Sequence, residues 1–337
     1  MKIDATIRSS LTDVAADVRA CEETGLDGAW NTEGGSDCFV SLALACEHSI
    51  RIELGPAVAI AFARTPMTIA YAAWDLQRYS GGRFVLGLGS QVRGHVTRRF
   101  SMPWSHPAER MREFVVALRR IWTAWESGGP LEHRGRFYEH TLMTPAFSPP
   151  PNPYDPPPVF LAAVGPRMVR VAAEVADGLF VHPFCTERYL REVVLPGVAA
   201  ARPADAPPLQ IALSPFVAST EAEVEAVRRK IAFYGSTPAY RGVLELHGRG
   251  ELQGLLAALA KDGRWDEMAR HVDDETVRDM CALGTPTEIA ATLRARFGDV
   301  ASRIRLHRPE EANRPEDLAE LVAALREHGA APVGGRS

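Results

Sequence analysis

The sequence is poor in lysine and has no closely spaced cysteine pair. Only Lys2, Lys230 and Lys261 among its 38 basic residues are lysines, and its five cysteines never form a Cys-x-x-Cys motif. An odd number of scattered cysteines argues against a disulfide scaffold or a zinc site and predicts reduced thiols in a cytoplasmic protein. The predominance of arginine, with abundant alanine, glycine and proline, indicates a GC-rich bacterial genome.

The sequence also lacks a basic charge excess and a long apolar run. The net charge is −4 and the pI about 6.2, so nucleic acid is not an expected partner. The longest nearly apolar run, residues 54–63, contains Gly55 and Pro56. It is far shorter than the roughly 20 residues of a membrane span. No signal peptide is recognised, and we expect a soluble enzyme that acts on a small molecule.

Short apolar runs alternate with segments of helical spacing along the whole chain. Eight such units predict an α/β fold with one closed (β/α)8 TIM barrel over residues 1–330, followed by a flexible tail at 331–337. A two-domain dinucleotide enzyme is disfavoured because no Gly-x-Gly-x-x-Gly motif follows the first strand. The predicted strands are residues 2–7, 28–32, 50–60, 84–88, 159–163, 178–182, 209–216 and 303–306.

Capping residues and prolines predict where several elements begin. Ser10 with Asp13 predicts the start of the first helix, and residues 285–288 form a capping box with proline at the first helical position. Residues 145–158 contain eight prolines, which neither a helix nor a central strand accepts. We expect this stretch to be an ordered insertion loop over the barrel surface near its mouth. Residues 236–284 are predicted to be helical but irregular.

Barrel enzymes place their active sites at the carboxyl ends of the strands, which limits the candidate site residues. Glu33, His95 and His182 follow the second, fourth and sixth strands and are the candidate catalytic residues, with a structural role as the alternative for each. Residues 164–166 lead into a helix whose free N–H groups would attract a phosphate, although an ordinary turn is the alternative. No Ser/His/Asp order and no metal-ligand cluster is found, so no metal is expected.

Four other residues near strand ends have less specific interpretations. Arg64 and Arg83 are expected to form structural ion pairs rather than to act in catalysis. Gly87 and Gly89 either let a backbone or a planar ring approach closely or simply form a tight turn.

Several sequence blocks, in order along the chain, form one recognisable pattern. The blocks are residues 25–30 followed by Glu33, then 55–58, 64–66, 80–89, 160–166, 176–178 and 284–288. Together they cover about residues 1–310 and resemble the luciferase-like monooxygenases, with the deazaflavin-dependent oxidoreductases of actinobacteria as the most similar subgroup. The resemblance implies a bacterial-luciferase-like barrel with insertions.

The same resemblance implies how the chain would hold a flavin-type cofactor. A glutamate after the second strand lies beside the cofactor ring, and a bulge in the third strand, made by a non-proline cis peptide, backs it. Residues after the fourth strand edge the ring, and residues after the fifth hold the phosphate. The implied binding residues are Glu33, Pro56, Ala57, Val58, Ser90, Gln91, Val92, Ala163, Val164 and Gly165.

Two positions depart from the pattern of the family. Gly34 stands where many members carry a histidine, and Val92 stands where sugar-phosphate dehydrogenases carry a glutamate. A proton-shuttling pair is therefore not carried over. His95 or His182 would substitute for it, or solvent would supply the proton.

The cofactor that the resemblance favours is the deazaflavin coenzyme F420, with FMN as the alternative. The two share a ring, a ribityl chain and a first phosphate, but the deazaflavin carries an anionic oligoglutamate tail. Arg167 and Arg170, on the helix after the phosphate cradle, would attract that tail, although a solvated helix face explains them equally well.

Three functions remain open. The favoured one is hydride transfer between reduced F420 and an unidentified small organic substrate, with the protein supplying binding and orientation. The alternatives are an FMN-dependent monooxygenase and a cofactor-binding protein without turnover. The oligomeric state also stays open, with a homodimer as one alternative.

Overall fold

A computed structural model describes residues 1–306 and 318–327. The predicted tail at 331–337 and the end of the predicted domain at 330 lie outside these ranges. The barrel strands, numbered in chain order, are β1 (Lys2–Thr6), β2 (Gly28–Asn31), β3 (Glu53–Pro56 and Ala59–Ile60), β4 (Leu86–Gly89), β5 (Val159–Ala163), β6 (Gly178–Val181), β7 (Gln210–Leu213) and β8 (Arg303–Arg305).

The eight strands are all parallel and close on themselves. Each strand pairs with the next in chain order, and β8 pairs with β1, where Ile304 lies opposite Ile3. The first segment of β3 meets β4 through the bridge between Leu54 and Phe84, and the second segment pairs with β4 directly. The predicted TIM barrel is therefore confirmed.

Helices surround the barrel, and several begin at the residues that the sequence predicts. Thr65 caps the helix after β3, and the predicted capping box between Thr285 and Glu288 is present. The helices are α1 (Val14–Glu23), α2 (Cys38–Glu47), α3 (Pro66–Tyr79), α4 (Arg93–Arg98), α5 (Pro107–Ser127), α6 (Pro166–Val175), α7 (Glu187–Tyr189), α8 (Leu195–Ala201), α9 (Glu221–Gly235), α10 (Arg241–Leu246), α11 (Gly250–Lys261), α12 (Trp265–Met268), α13 (Asp274–Met280), α14 (Pro286–Phe297) and α15 (Ala319–Glu327).

Several predicted boundaries are wrong, and two of them have a clear local cause. The Ser10 hydroxyl hydrogen-bonds to Thr12 instead of capping a helix, and α1 begins only at Val14. The predicted seventh strand ends at Leu213, and Phe216–Ala218 forms a separate parallel pair with Cys281–Leu283. The helix starts late because the Ser10 hydroxyl is engaged by the Thr12 side chain. The seventh strand is shorter than predicted because the chain leaves the barrel at Ser214-Pro215.

The proline-rich insertion at 145–158 lies on the surface, along the outer side of α3. Tyr71 donates to the Phe147 carbonyl, and Gln77 donates to the Asp155 carbonyl. Because α3 leads away from the mouth, the insertion descends toward the amino-terminal end of the barrel and enters β5 there. The surface location is as predicted, but the location near the mouth is wrong for most of the stretch.

The buried residues form two separate clusters. A large one fills the shell between strands and helices, and a small one fills the inside of the barrel with Trp30, Val85, Phe160, Phe180 and Ala212. The ring centroids of Trp30 and Phe180 lie 5.1 Å apart in an edge-to-face arrangement. Below this cluster, at the amino-terminal end, the barrel is closed by charged side chains.

That closure is centred on Arg303, whose side chain is only 2% exposed. Its Nε donates to the Asp4 carboxylate at 2.6 Å, and Nη1 donates to Glu53 at 2.9 Å. The Trp30 indole N–H donates to the same Asp4 carboxylate, and the guanidinium lies 4.7 Å from the Trp30 ring. Among the described residues, a hydrogen-bonded ion cluster thus seals the base of the barrel, and the carboxyl ends of the strands lie at the opposite end.

Candidate active site at the barrel mouth

Strand register places three polar side chains together at the open end. Phe180 pairs with Ala212, and Ala212 pairs with Arg303, all pointing into the barrel. Two residues further along each strand, side chains again point inward because the strand period is two. Those positions hold His182, Ser214 and Arg305.

Arg305 lies deep inside the barrel, yet part of its side chain remains accessible to solvent. Its Nε donates to the Ser214 hydroxyl at 2.9 Å, and Nη1 donates to the Ala57 carbonyl at 3.3 Å. Burial lowers the pKa of Arg305 to about 10, so the guanidinium is still charged at neutral pH. Arg305 is therefore partly exposed at the carboxyl end of β8, which is the open end of the barrel.

His182 is held in the neutral state. Burial, and secondarily the nearby Arg305 charge, lower its pKa to about 3. Its Nδ1 accepts from the Phe184 N–H at 3.0 Å, so the ring proton is on Nε2, which lies 3.1 Å from the Tyr240 hydroxyl. Tyr240 also stacks on the imidazole, and Tyr234 meets it edge-on.

The end of α9 and the turn that follows it supply these aromatic contacts. The side chains of Tyr234, at the end of α9, and Tyr240, in the following 3-10 turn, form one wall of the mouth beside His182. A neutral imidazole is a poor general acid at neutral pH, because it must first be protonated at a pKa near 3. A catalytic role for His182 stays a prediction, and its present contacts are hydrogen bonds and ring stacking.

Glu33 forms a tight ion pair instead of standing free. Its carboxylate accepts from the Ile60 N–H at 2.6 Å and from two nitrogens of Arg64, at 2.8 and 2.5 Å. Arg64 also binds Asp37, and although burial opposes ionisation, this bond and the Phe39 N–H lower the pKa of Asp37. The expected ion pairing of Arg64 is present, and Glu33 fixes the strand segment after the bulge.

The bulge in β3 is present, with the Ala57–Val58 peptide bond in the cis form, as the resemblance implied. The neighbouring strand makes room for it with glycine. A Cβ on Gly87 would lie 2.0 Å from the Pro56 oxygen, and one on Gly89 would lie 2.5 Å from the Val58 side chain. Close approach of a neighbouring strand therefore explains these two glycines.

The residues after β4 lie at the rim of the mouth. Ser90 and Gln91 are partly buried, and Gln91 adopts a φ of 58° while its side chain accepts from the Val92 N–H. The Val92 side chain is exposed, and so is His95 on α4. These positions stay predicted site residues. His95 is exposed, whereas a group that donates a proton to a buried substrate is expected to be buried.

The start of α6 after β5 has the features of an anion site. Ala163 is buried, Gly165 is the N-cap residue, and in the described part of the chain no side chain caps this helix. A Cβ on Gly165 would meet no atom within 4 Å, so open space adjoins the helix start. Val164 is fixed through its carbonyl by the Tyr189 hydroxyl, and both Arg167 and Arg170 are exposed on α6.

The sequence interpretation missed Arg305, Ser214 as its partner, and the two tyrosines. A signal for Arg305 was present, because in Arg303-Ile304-Arg305 the buried Ile304 faces the helices, which turns both arginines into the barrel. Arg83, by contrast, donates to the carbonyls of Ser80, Ser49 and Ile52 and, within the described ranges, to no carboxylate, so its predicted ion pair is wrong there.

Within the described ranges, every helix is too short or too polar to cross a membrane. Among the same residues, no three His, Cys, Asp or Glu side chains are grouped as a metal site requires. The predicted absence of a metal and of a membrane partner concerns the whole chain, and it stays a prediction.

The chain is similar to several known proteins. An uncharacterized Mycobacterium tuberculosis protein is 46% identical over 90% of this chain and 92% of its own. A 5,10-methylenetetrahydromethanopterin reductase of Archaeoglobus fulgidus is 29% identical over 81% and 82%. The solved coenzyme F420 dependent tetrahydromethanopterin reductase of Methanopyrus kandleri superposes with a TM-score of 0.76 at 20% identity, over 97% of this chain and 99% of that one. The family model of the luciferase-like monooxygenases matches residues 3–303, and the chain belongs to this family.

Proposed function

We propose that the protein is an oxidoreductase that transfers a hydride between the deazaflavin coenzyme F420 and a small organic substrate bound in the barrel mouth. The observation that carries this proposal is the match over almost the whole chain to an enzyme described as coenzyme F420 dependent. A relative at the level of sequence also supports the proposal. This protein from Archaeoglobus fulgidus is named as a reductase of a tetrahydromethanopterin compound, like the solved enzyme.

The residues present fit such a cofactor. The uncapped start of α6 at Gly165, with open space in front of it, suits the phosphate, because helix N-termini offer free N–H groups and a favourable dipole. Ala57 and Val58 at the bulge, with Ser90 and Gln91 at the rim, would border the ring. When bound, the deazaflavin supplies the carbon that accepts or donates a hydride.

The protein itself would bind, orient and exclude water. Glu33 is engaged by Arg64 and by the Ile60 N–H, so its proposed part is to hold the segment after the bulge in place. His182 would stay neutral and direct its Nε2 proton to Tyr240, which leaves the tyrosine hydroxyl proton available to a ligand oxygen. Arg167 and Arg170 would attract the anionic tail of the deazaflavin.

An FMN-dependent monooxygenase is the second candidate, since monooxygenases give the family its name. A cofactor-binding protein without turnover is the third, because the family's acid/base positions hold Gly34 and Val92. Anaerobic reaction of the protein with reduced F420 and a panel of small carbonyl compounds tests the proposal by the recovery of the oxidised-cofactor absorbance. Turnover without oxygen supports hydride transfer. Turnover only with reduced FMN and oxygen would favour the monooxygenase, and no turnover with a tightly bound cofactor would favour the third candidate.

A further inference from the structure

The mouth of the barrel contains a positive charge that the described residues do not neutralise. Within residues 1–306 and 318–327, no carboxylate lies within 4 Å of the Arg305 guanidinium. Its hydrogen-bonding partners there are a hydroxyl and a carbonyl. The Asp4 carboxylate acts on it only from a distance and is itself bound to Arg303.

Two titratable side chains near Arg305 are uncharged at neutral pH. The pKa of His182 lies at about 3, and burial raises the pKa of Tyr240 far above neutral. Ser214 contributes a hydroxyl. Among the described residues, the Arg305 guanidinium therefore lies beside a neutral hydroxyl and a neutral imidazole.

Such a charge is costly unless something balances it. A buried ion without a counter-ion is strongly unfavourable, and proteins retain one mainly where a ligand or a reaction uses it. Arg305 also keeps donors in reserve, because a guanidinium has five N–H groups and described residues accept only from Nε and Nη1. The cation is fixed by Ser214 on one side and by the bulge on the other, so its remaining donors have a defined position.

We propose that Arg305 anchors a carboxylate of the substrate, so that the enzyme acts on small organic acids. A single cation balances a single negative charge, and the planar guanidinium matches a carboxylate in a two-point contact. A phosphate monoester, with nearly two negative charges, would leave one of them unpaired here. The identification of this ligand as the substrate rests on the proposed function, but the anion site itself does not.

Calorimetric titration of the cofactor-free protein tests the anion site, with benzoate, its uncharged analogue benzamide, and inorganic phosphate as probes. We expect benzoate to bind at least about tenfold more tightly than benzamide, the range expected for a charge-assisted hydrogen bond, and more tightly than phosphate. The variant Arg305→Met should abolish the preference for benzoate, Arg305→Lys should retain part of it, and Ser214→Ala should reduce it. The matched control Arg120→Met removes an exposed arginine on α5 and should bind like the wild type.

Equal binding of benzoate and benzamide, tighter binding of phosphate, or an unchanged preference in Arg305→Met would overturn the proposal. If Arg305→Met does not fold, the binding of benzoate and benzamide to the wild type and to Ser214→Ala still tests the anion site. Because no cofactor is present in these titrations, a failure here is separate from a failure of F420-dependent turnover. A protein that turns over with FMN instead would retain the benzoate preference.

Discussion

The neutral state of His182 makes the stability of the protein depend on pH in a defined direction. Burial and the Arg305 charge lower its pKa from 6.5 to about 3, so between these values the unfolded chain binds a proton that the folded chain does not. The stabilisation is complete above pH 6.5 and is lost as the pH falls from 6.5 toward 3. Evaluated between pH 7.5 and pH 5, the loss is about 2 kcal/mol of unfolding free energy.

The variant His182→Asn isolates this contribution, because asparagine retains an acceptor near Nδ1 for the Phe184 N–H but does not titrate. Urea unfolding followed by tryptophan fluorescence, at pH 7.5 and pH 5, measures the free energy of each protein. We expect the wild type to lose about 2 kcal/mol more than His182→Asn over this interval. The control His95→Asn removes an exposed histidine on α4 and should follow the wild-type pH dependence.

Equal losses in wild type and His182→Asn would refute the reasoning. They would mean that the imidazole is already solvated in the folded state, and that Tyr234, Tyr240 and Arg305 do not enclose it. The inference that His182 is no general acid at neutral pH would then fail as well.

Three further perturbations test other parts of the structure. Arg303→Met should lower the unfolding free energy by about 3–5 kcal/mol in urea denaturation, because two carboxylates lose their buried partner. A smaller loss, below 1 kcal/mol, would contradict the sealed base. Gly87→Ala should cost at least about 2 kcal/mol by overpacking against β3, while Gly35→Ala, with no atom within 4 Å, should cost little. Arg167→Ala and Arg170→Ala should each weaken F420 binding about two- to fivefold at low salt and less at high salt, and titrations that show no change would place the tail elsewhere.

Much of the architecture follows from local pattern. The alternation of short apolar runs and helical spacing was sufficient for the eight-stranded barrel, since such segments bury their apolar faces in few other ways. The predicted capping box at Thr285 is also confirmed, because its two hydrogen bonds are made within four residues. Ser10 does not cap the helix because its hydroxyl hydrogen-bonds to the Thr12 hydroxyl instead. Sequence spacing does not show which of these two hydrogen bonds forms.

The site was less accessible from the sequence because its groups meet only across strands. Glu33 was recognised at a strand end, but its pairing with Arg64, 31 residues away, fixes it in a way that no local pattern predicts. Arg305 appeared as part of a strand and nothing more, since its importance depends on which charges surround it inside the barrel. Tyr240 lies in an irregular insertion without a clear period, so its position beside His182 had no local signal.

The central claim is that this member of the luciferase-like family uses a deazaflavin. The most direct test is to titrate the cofactor-free protein with F420 and, separately, with FMN under the same buffer and salt, following the change in cofactor fluorescence. We expect a lower dissociation constant for F420 than for FMN, with the difference shrinking as salt screens the anionic tail. Tighter binding of FMN would contradict it and would leave the oxygen-dependent monooxygenase as the better description.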